Sequence, residues 1–315
     1  MTAPECVLAV DIGGTKLAVG LVACDGQVVR AGRVATPTTD AEEMWATLAA
    51  LVDEVLAGEE PGGVGIGCGG PLRLATGEVS PLHIPCWRDF PLLDRTRKRF
   101  PHLPLRLHND AVAMAVGEHW RGAGRGTSSM LGVVLSTGVG GGLVAGGRVV
   151  GGRTGNAGHI GHVTVDPGGP VCECGTVGCL EAVARGPAVV AWALDHGWAP
   201  TTQPPGGVAL VADAKRGDRV AVAALLRAGE ALGVAAANAA HLLELDAVVV
   251  GGGLAVGAGD LILAPARAAF ARHARMAFAA RCAIVPAELG TDAGVIGAAA
   301  LVLEPRYLVD GNADS

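Results

Sequence analysis

Three observations make this sequence an α/β protein of two lobes. Its 315 residues exceed what one hydrophobic core usually organises. Half of them are hydrophobic and 49 are glycine, with few aromatics, a mixture suited to strands and helices joined by tight turns. The third is an internal repetition. "VLAVDIGGTKLAVGLVACDGQVV" (7–29) and "MLGVVLSTGVGGGLVAGGRVV" (130–150) both run as apolar strand, glycine turn, second strand and hairpin. Two lobes on related hairpin cores follow, and with no Pro- or Ser-rich linker they are expected to join tightly around a cleft.

The elements fall in order along the chain. Residues 6–10 form a buried strand that breaks at "DIGGTK" (11–16); 17–23 form a second, followed by an Asp-Gly hairpin turn in "CDGQ". Met44, Leu48, Leu51 and Val55 recur at helical spacing, which predicts a helix over 40–56. "GGVGIGCGGP" (62–71) is a short strand ending in a glycine loop, and "LPLRLHND" (103–110) is a strand that delivers Asn109 and Asp110 to a helix beginning near Ala111. After the repeat, "AVVVGGG" (247–253) is again buried strand and glycine turn, and "LGTDAGVIGAAALVL" (289–303) is a loop entering a small-residue helix. That last helix is expected to rejoin the first lobe, giving lobes of 1–110 plus about 290–315, and 111–289.

A net charge of −6 weighs against a dedicated nucleic-acid binder, which needs a basic face. The opening "MTAPECVLAV" has no basic region of the secretory kind, and the longest uncharged apolar run, 231–243, is short and carries Asn238 and His241. A cytoplasmic enzyme without a membrane partner is the expectation. Of eight cysteines, Cys6, Cys24, Cys68, Cys86 and Cys282 are scattered singly and read as buried or bystander thiols. The other three are clustered.

A glycine turn between strands frees backbone N–H groups to face an anion, with no Cβ in the way. "DIGGTK" adds the Asp11 carboxylate, able to organise a divalent cation, the Thr15 hydroxyl and the Lys16 cation; "STGVGGG" (136–142) adds Ser136 and Thr137. One such turn can be an ordinary hairpin; two matched turns and the third glycine run at 251–253 point to phosphate. Neither has the G-x-x-x-x-G-K-[ST] pattern of a Walker loop, and no G-x-G-x-x-G opens a helix as in a dinucleotide site.

Cys172, Cys174 and Cys179 place three thiols on one tight loop, and His162, ten residues before Cys172, can complete a Cys₃His tetrahedron. That closed set leaves no open position for water, so the metal would be structural zinc, folding a loop poor in apolar residues. Asp110, at a strand end beside Asn109, is the natural general base, although an Asn-Asp pair there can equally cap the following helix.

Together "DIGGTK", "STGVGGG", "GHIGH" (158–162) with the C-x-C-G-x-x-G-C-x-E stretch that follows, and "GTDAGVIGAA" (290–299) resemble the ROK family of sugar kinases and repressors, from about Val7 to Leu303. The resemblance implies a two-lobed actin-like ATPase fold, of the hexokinase and ribonuclease H-like type. It implies a kinase taking ATP with Mg²⁺, with Asp110 accepting the 6-hydroxyl proton of a hexose and Gly70, Asn109, Asp110, His159, His162 and Glu181 at the sugar. Phosphates would lie on Gly13–Thr15 and Thr137–Gly141, with Asp11, Gly13, Gly14, Thr15, Lys16, Thr137, Gly138 and Gly140 at the nucleotide and Gly252 and Gly253 bordering the nucleoside. It implies zinc on His162, Cys172, Cys174 and Cys179. A homodimer or larger homo-oligomer is the family's usual state, and some relatives use polyphosphate in place of ATP.

Two departures bear on the sugar. Glucose-specific relatives have glutamate where this chain has His159; a neutral imidazole offers one donor and one acceptor instead of two acceptor oxygens. N-acetylmannosamine kinases of the family also carry "GHIGH", so an N-acylamino sugar stands beside glucose as a candidate. His83, in "SPLHIPCW" (80–87), lies in a loop that borders the sugar in relatives, or is an ordinary surface histidine. A 3-amino sugar such as kanosamine is a further alternative, against which stands the loss of a carboxylate that would welcome an ammonium. Glu181 is alternatively an exposed helix-starting carboxylate, and Asp292 is read as a turn residue without a role. Only ten residues precede Asp11, so a repressor with a DNA-binding domain ahead of that strand is not expected; a non-catalytic sugar sensor is expected to lack Asp110 or the phosphate turns, and both are present.

Overall fold

In the computed structural model, which describes residues 6–307, the chain forms two compact units. The elements run β1 (Cys6–Ile12), β2 (Lys16–Ala23), β3 (Val28–Ala35), α1 (Ala41–Leu56), β4 (Val64–Cys68), β5 (Leu72–Arg73), β6 (Glu78–Val79), α2 (Leu92–Arg99), β7 (Leu105–Asn109) and α3 (Asp110–Arg121). The repeat follows as β8 (Met130–Leu135), β9 (Val139–Ala145) and β10 (Arg148–Val149). Then come α4 (Leu180–Ala184), α5 (Gly186–Asp195), α6 (Gly207–Lys215), α7 (Arg219–Leu243), β11 (Ala247–Gly251), α8 (Gly253–Ala258), α9 (Asp260–His273), β12 (Ala283–Pro286) and α10 (Ala293–Leu303).

Among the described residues, one unit comprises 6–126, 142–158 and 291–307; the other 127–141 and 159–290. The first is built on a sheet of order β3-β2-β1-β4-β7, in which β1–β2 and β2–β3 are antiparallel and β1–β4 and β4–β7 parallel. A second sheet has the order β10-β9-β8-β11-β12, again with antiparallel β9–β10 and parallel β8–β11 and β11–β12. The repetition in sequence is therefore a repetition of topology, each hairpin core extended by two parallel strands.

Local chemistry explains the elements that position the site. The α1 helix begins where the Asp40 side chain accepts the Glu43 amide at 2.8 Å, and it buries Met44, Leu48, Leu51 and Val55, the residues whose spacing predicts it. One apolar cluster joins these to Leu8, Val10, Ile12, Leu17, Val19 and Leu21. On the other face, α10 lies against the sheet and α3 by backbone approach. A Cβ on Gly65 would stand 1.8 Å from the Ala298 carbonyl oxygen, and one on Gly297 only 1.6 Å from that of Ala113. Through this packing α3 belongs to the first unit, whereas the sequence reading grouped it with the second.

In the second unit α7 is long and apolar enough, by length and composition alone, to cross a membrane; 61% of its most apolar window is buried within the protein. It packs on α9 through Gly229 and Gly233, where a Cβ would stand 2.4 and 2.3 Å from the carbonyl oxygens of Ile262 and Ala266. The helix reaches 12 residues further toward its N-terminus than the uncharged run 231–243, starting after Asp218, which caps it by accepting the amides of Val220 and Ala221.

Candidate active site

Parallel pairing sets the first group of residues. Asp11 lies opposite Gly67 and Ile12 opposite Cys68, while Cys68 lies opposite Asn109. The carboxyl ends of β1, β4 and β7 thus bring Asp11, the Gly69–Gly70 loop and Asn109-Asp110 to one end of the sheet, where open α/β sheets bind ligands. Asn109 caps α3, its Oδ1 accepting the Ala111 amide at 3.0 Å, and Asp110 Oδ1 accepts the same amide at 2.8 Å. The capping alternative is thus realised, and it leaves Asp110 Oδ2 on the Gly69 side: a Cβ on Gly69 would stand 4.0 Å from it.

Asp11 keeps some accessible surface, but its carboxyl is enclosed, and a Cβ on Gly294 would stand 2.5 Å from its Oδ2. Burial, and then the neighbouring Asp110 carboxylate, push Asp11 up to about 7, with Lys16 and Arg33 pulling the other way. Arg33 reaches this group through strand register. It lies opposite Ala18, which lies opposite Asp11, so the three share one face with a small residue in the middle. Arg33 also pairs with Asp292, the residue that the sequence reading left without a role. Neither Arg33 nor Gly294 was a sequence candidate, because only the β2–β3 register and the seat of α10 bring them to Asp11.

The first glycine turn closes with the Gly13 amide donating to the Lys16 carbonyl at 3.0 Å, while the Thr36 hydroxyl donates to the Gly13 carbonyl at 2.7 Å. Thr15 and Lys16 are exposed. Gly14 is pressed by protein: a Cβ there would meet His83 Cβ at 2.6 Å. His83 is accordingly half-buried over the turn, and its loop is pinned to the glycine loop by the Leu82 amide donating to the Gly70 carbonyl at 3.1 Å.

The second unit holds the other group. Its glycine turn forms as the Ser136 amide donates to the Gly138 carbonyl at 2.9 Å, with Thr137, Gly138 and Gly140 half-buried. Gly252, with φ +92°, sits where a Cβ would lie 2.4 Å from the Leu135 carbonyl oxygen, so the third glycine run backs directly on the strand that enters this turn. Gly253 opens α8 nearby, its Cβ position 3.7 Å from Ser136 Oγ. His159 and His162 flank a single 3₁₀ turn, their rings near parallel with centroids 6.3 Å apart. Glu181 is buried at 4% exposure, which overturns its reading as an exposed helix-starting carboxylate. Its Oε2 accepts the Val139 amide at 2.9 Å.

The donor atoms of His162, Cys172, Cys174 and Cys179 all lie within 4.8 Å of one another. His162 Nδ1 is 3.8 Å from Cys172 Sγ, and Cys174 Sγ is 3.6 Å from Cys179 Sγ. Tetrahedral zinc with bonds of about 2.3 Å to sulfur and about 2.0 Å to nitrogen requires donor–donor edges of roughly 3.5–3.8 Å, which these two pairs match, and the four donors are of the Cys₃His kind that structural zinc takes. The Cys174 thiol is drawn down to about 6 by the Thr176 amide and hydroxyl, whereas burial pushes Cys179 up to about 12. Bound zinc would hold all three as thiolates.

The ROK family matches residues 7–305. The chain belongs to the ROK family. This ROK protein is 35% identical over 311 residues to the glucokinase of Thermotoga maritima, covering 95% of this chain and 97% of that one. It is 37% identical over 259 residues to an N-acetylmannosamine kinase of Yersinia pestis, covering 79% and 84%. The crystal structure of a ROK family glucokinase from Streptomyces griseus in complex with glucose and AMPPNP superposes with a TM-score of 0.83 at 34% identity, covering 94% of this chain and 99% of that one. The fold is therefore the actin-like ATPase fold of ROK glucokinases.

Proposed function

We propose that this ROK protein is an ATP-dependent kinase that phosphorylates a hexose or amino-hexose on its 6-hydroxyl. The observation that carries the reading is the pair of carboxylates at the carboxyl ends of β1 and β7, the two strands that flank β4, beside the first glycine turn, with Asp11 enclosed and Asp110 Oδ2 on the Gly69 side. Phosphoryl transfer asks for little covalent chemistry from the protein; it needs charge neutralisation, in-line positioning and an acceptor for the hydroxyl proton. Asp110 Oδ2 is the proton acceptor and Asp11 organises the Mg²⁺ that accompanies ATP. The phosphates rest on the turn that the Gly13 amide closes, on the amides of Gly14 and Thr15 with Lys16, and on Thr137, Gly138 and Gly140; Gly252 and Gly253 border the nucleoside.

Gly70, Asn109, His159, His162 and Glu181 hold the sugar. Zinc on His162, Cys172, Cys174 and Cys179 supplies folding energy to its loop and no reaction step, since its four ligands leave no open position. With Nδ1 turned to Cys172, His162 keeps its other ring nitrogen for a sugar hydroxyl. His159 in place of a carboxylate favours an uncharged or N-acylated position near C2 and C3 over an ammonium group.

The test is formation of sugar phosphate, with ADP release as a second readout when ATP·Mg²⁺ is the donor, against glucose, mannose, N-acetylglucosamine, N-acetylmannosamine and kanosamine, repeated with polyphosphate as donor. Phosphorylation of at least one sugar at the 6-hydroxyl is expected. A best kcat/KM on an N-acylamino sugar makes His159 a specificity determinant, and a preference for glucose makes it a tolerated substitution. Zinc-replete protein silent on every sugar and donor would leave the sensor reading in place of the kinase.

A further inference from the structure

The two carboxylate oxygens of Glu181 are treated differently. Oε2 accepts the Val139 amide at 2.9 Å, whereas Oε1 is buried without a hydrogen-bond partner. A buried carboxylate oxygen left bare is costly, and native proteins seldom leave one so without a ligand to satisfy it. The amide on Oε2 belongs to the residue that follows the Ser136–Gly138 turn. The same stretch is gripped twice more by the segment around Glu181 and the histidines. The Gly186 amide donates to the Ser136 carbonyl at 2.8 Å, and Gly161 lies so close to Val139 that a Cβ there would stand 2.1 Å from its carbonyl oxygen. The phosphate turn is thus shaped by the very segment that carries the sugar contacts.

We propose that Glu181 is a positioning residue for the second phosphate turn, and that it couples the two substrates. A sugar hydroxyl donating to Oε1 fixes the carboxylate, and the fixed carboxylate holds the Val139 amide and with it the turn that receives the nucleotide phosphates. This inference rests on the kinase reading above. Coupling of this kind is reciprocal, so bound nucleotide tightens sugar binding by the same factor.

The experiment is calorimetric binding of AMP-PNP·Mg²⁺ to zinc-loaded protein, with and without a saturating concentration of whichever of glucose, mannose, N-acetylglucosamine, N-acetylmannosamine and kanosamine is phosphorylated best in the panel above. Wild type is expected to bind the nucleotide at least about fivefold more tightly with sugar present; equal affinity in both conditions overturns the link. Without sugar, Glu181→Ala is expected to bind AMP-PNP about tenfold more weakly. Glu181→Gln keeps a carbonyl acceptor for Val139 and is expected to stay within about threefold of wild type. A residue serving the sugar alone would leave sugar-free nucleotide binding unchanged in Glu181→Ala, and that result also overturns the proposal. Should Glu181→Ala fail to fold, the wild-type comparison decides. Wild type that binds neither nucleotide nor sugar overturns the kinase reading itself, an outcome distinct from nucleotide binding indifferent to Glu181.

Discussion

At the scale of single residues, Asp110 meets two demands at once. One oxygen shares the capping of α3 with Asn109, which orients the side chain, and the other lies toward Gly69. Replacing Asp110 by Asn keeps the cap acceptor and removes the base, so kcat is expected to fall about 10²–10⁴-fold while KM for ATP moves by no more than about threefold. Steady-state kinetics on the best sugar checks this, and an unchanged kcat would remove Asp110 from the chemistry. Asp11 allows a test without substrate. Its folded value of about 7 stands above the ordinary 3.8, so between those values the native state keeps a proton that the unfolded chain has released. Stability contributed by this group therefore falls as pH rises through that window and is level above it. Asp11→Asn is expected to raise Tm over wild type at pH 8 without Mg²⁺, with the gain vanishing toward pH 4. A gain independent of pH would show that the carboxyl is not held protonated by its surroundings.

At the scale of elements, α3 on α10 and α7 on α9 meet by close backbone approach at glycine. The crossing of α3 and α10 requires Gly297, since a Cβ would stand 1.6 Å from backbone. Gly297→Ala is expected to destabilise by at least about 3 kcal/mol in urea titration. Gly257→Ala, in α8 with nothing within 4 Å of its Cβ position, is expected to stay within about 1 kcal/mol. The loop of the proposed zinc site would make the complementary case, a segment held by donors in place of a core: Val171 and Val177 are exposed, and Cys172 and Cys179 are buried. Cys179→Ser is expected to lower zinc from about one per chain to well under half, by elemental analysis, and to open residues 163–179 to limited proteolysis. Full zinc retention would exclude Cys179 as a ligand.

For the whole molecule, the two sheets share one strand order although their hairpins share little beyond glycine and apolar character. Continuous apolar runs, glycine turns and the helical spacing of α1 were enough to find β1, β2, β4, β7, β8, β9, β11, α1 and α10, because each is a local pattern that the backbone reads directly. The short ladder of β5 and β6 left no such trace, two residues being too few to show a period. The grouping of α3 with the first unit depends on contacts with a helix some 180 residues away in sequence, which no window along the chain can register. The ROK resemblance leads us to expect a homodimer; light scattering behind size exclusion should give twice the chain mass, and the chain mass itself would refute it.

The sequence by itself pointed to the family, through motifs in a fixed order, and named candidate metal donors by their spacing; the candidate base came only with that resemblance, since Asn109-Asp110 alone reads as a helix cap. Tertiary structure alone decided how those residues are tuned. The β2–β3 register carries Arg33 across Ala18 toward Asp11, the seat of α10 presses Gly294 on that carboxyl, and the turn at Ser136 commits one oxygen of Glu181 while leaving the other bare. The physical reason is range. Strand, turn and ligand patterns are fixed by neighbours a few residues apart, whereas burial and charge at a site are sums over groups that only folding brings together.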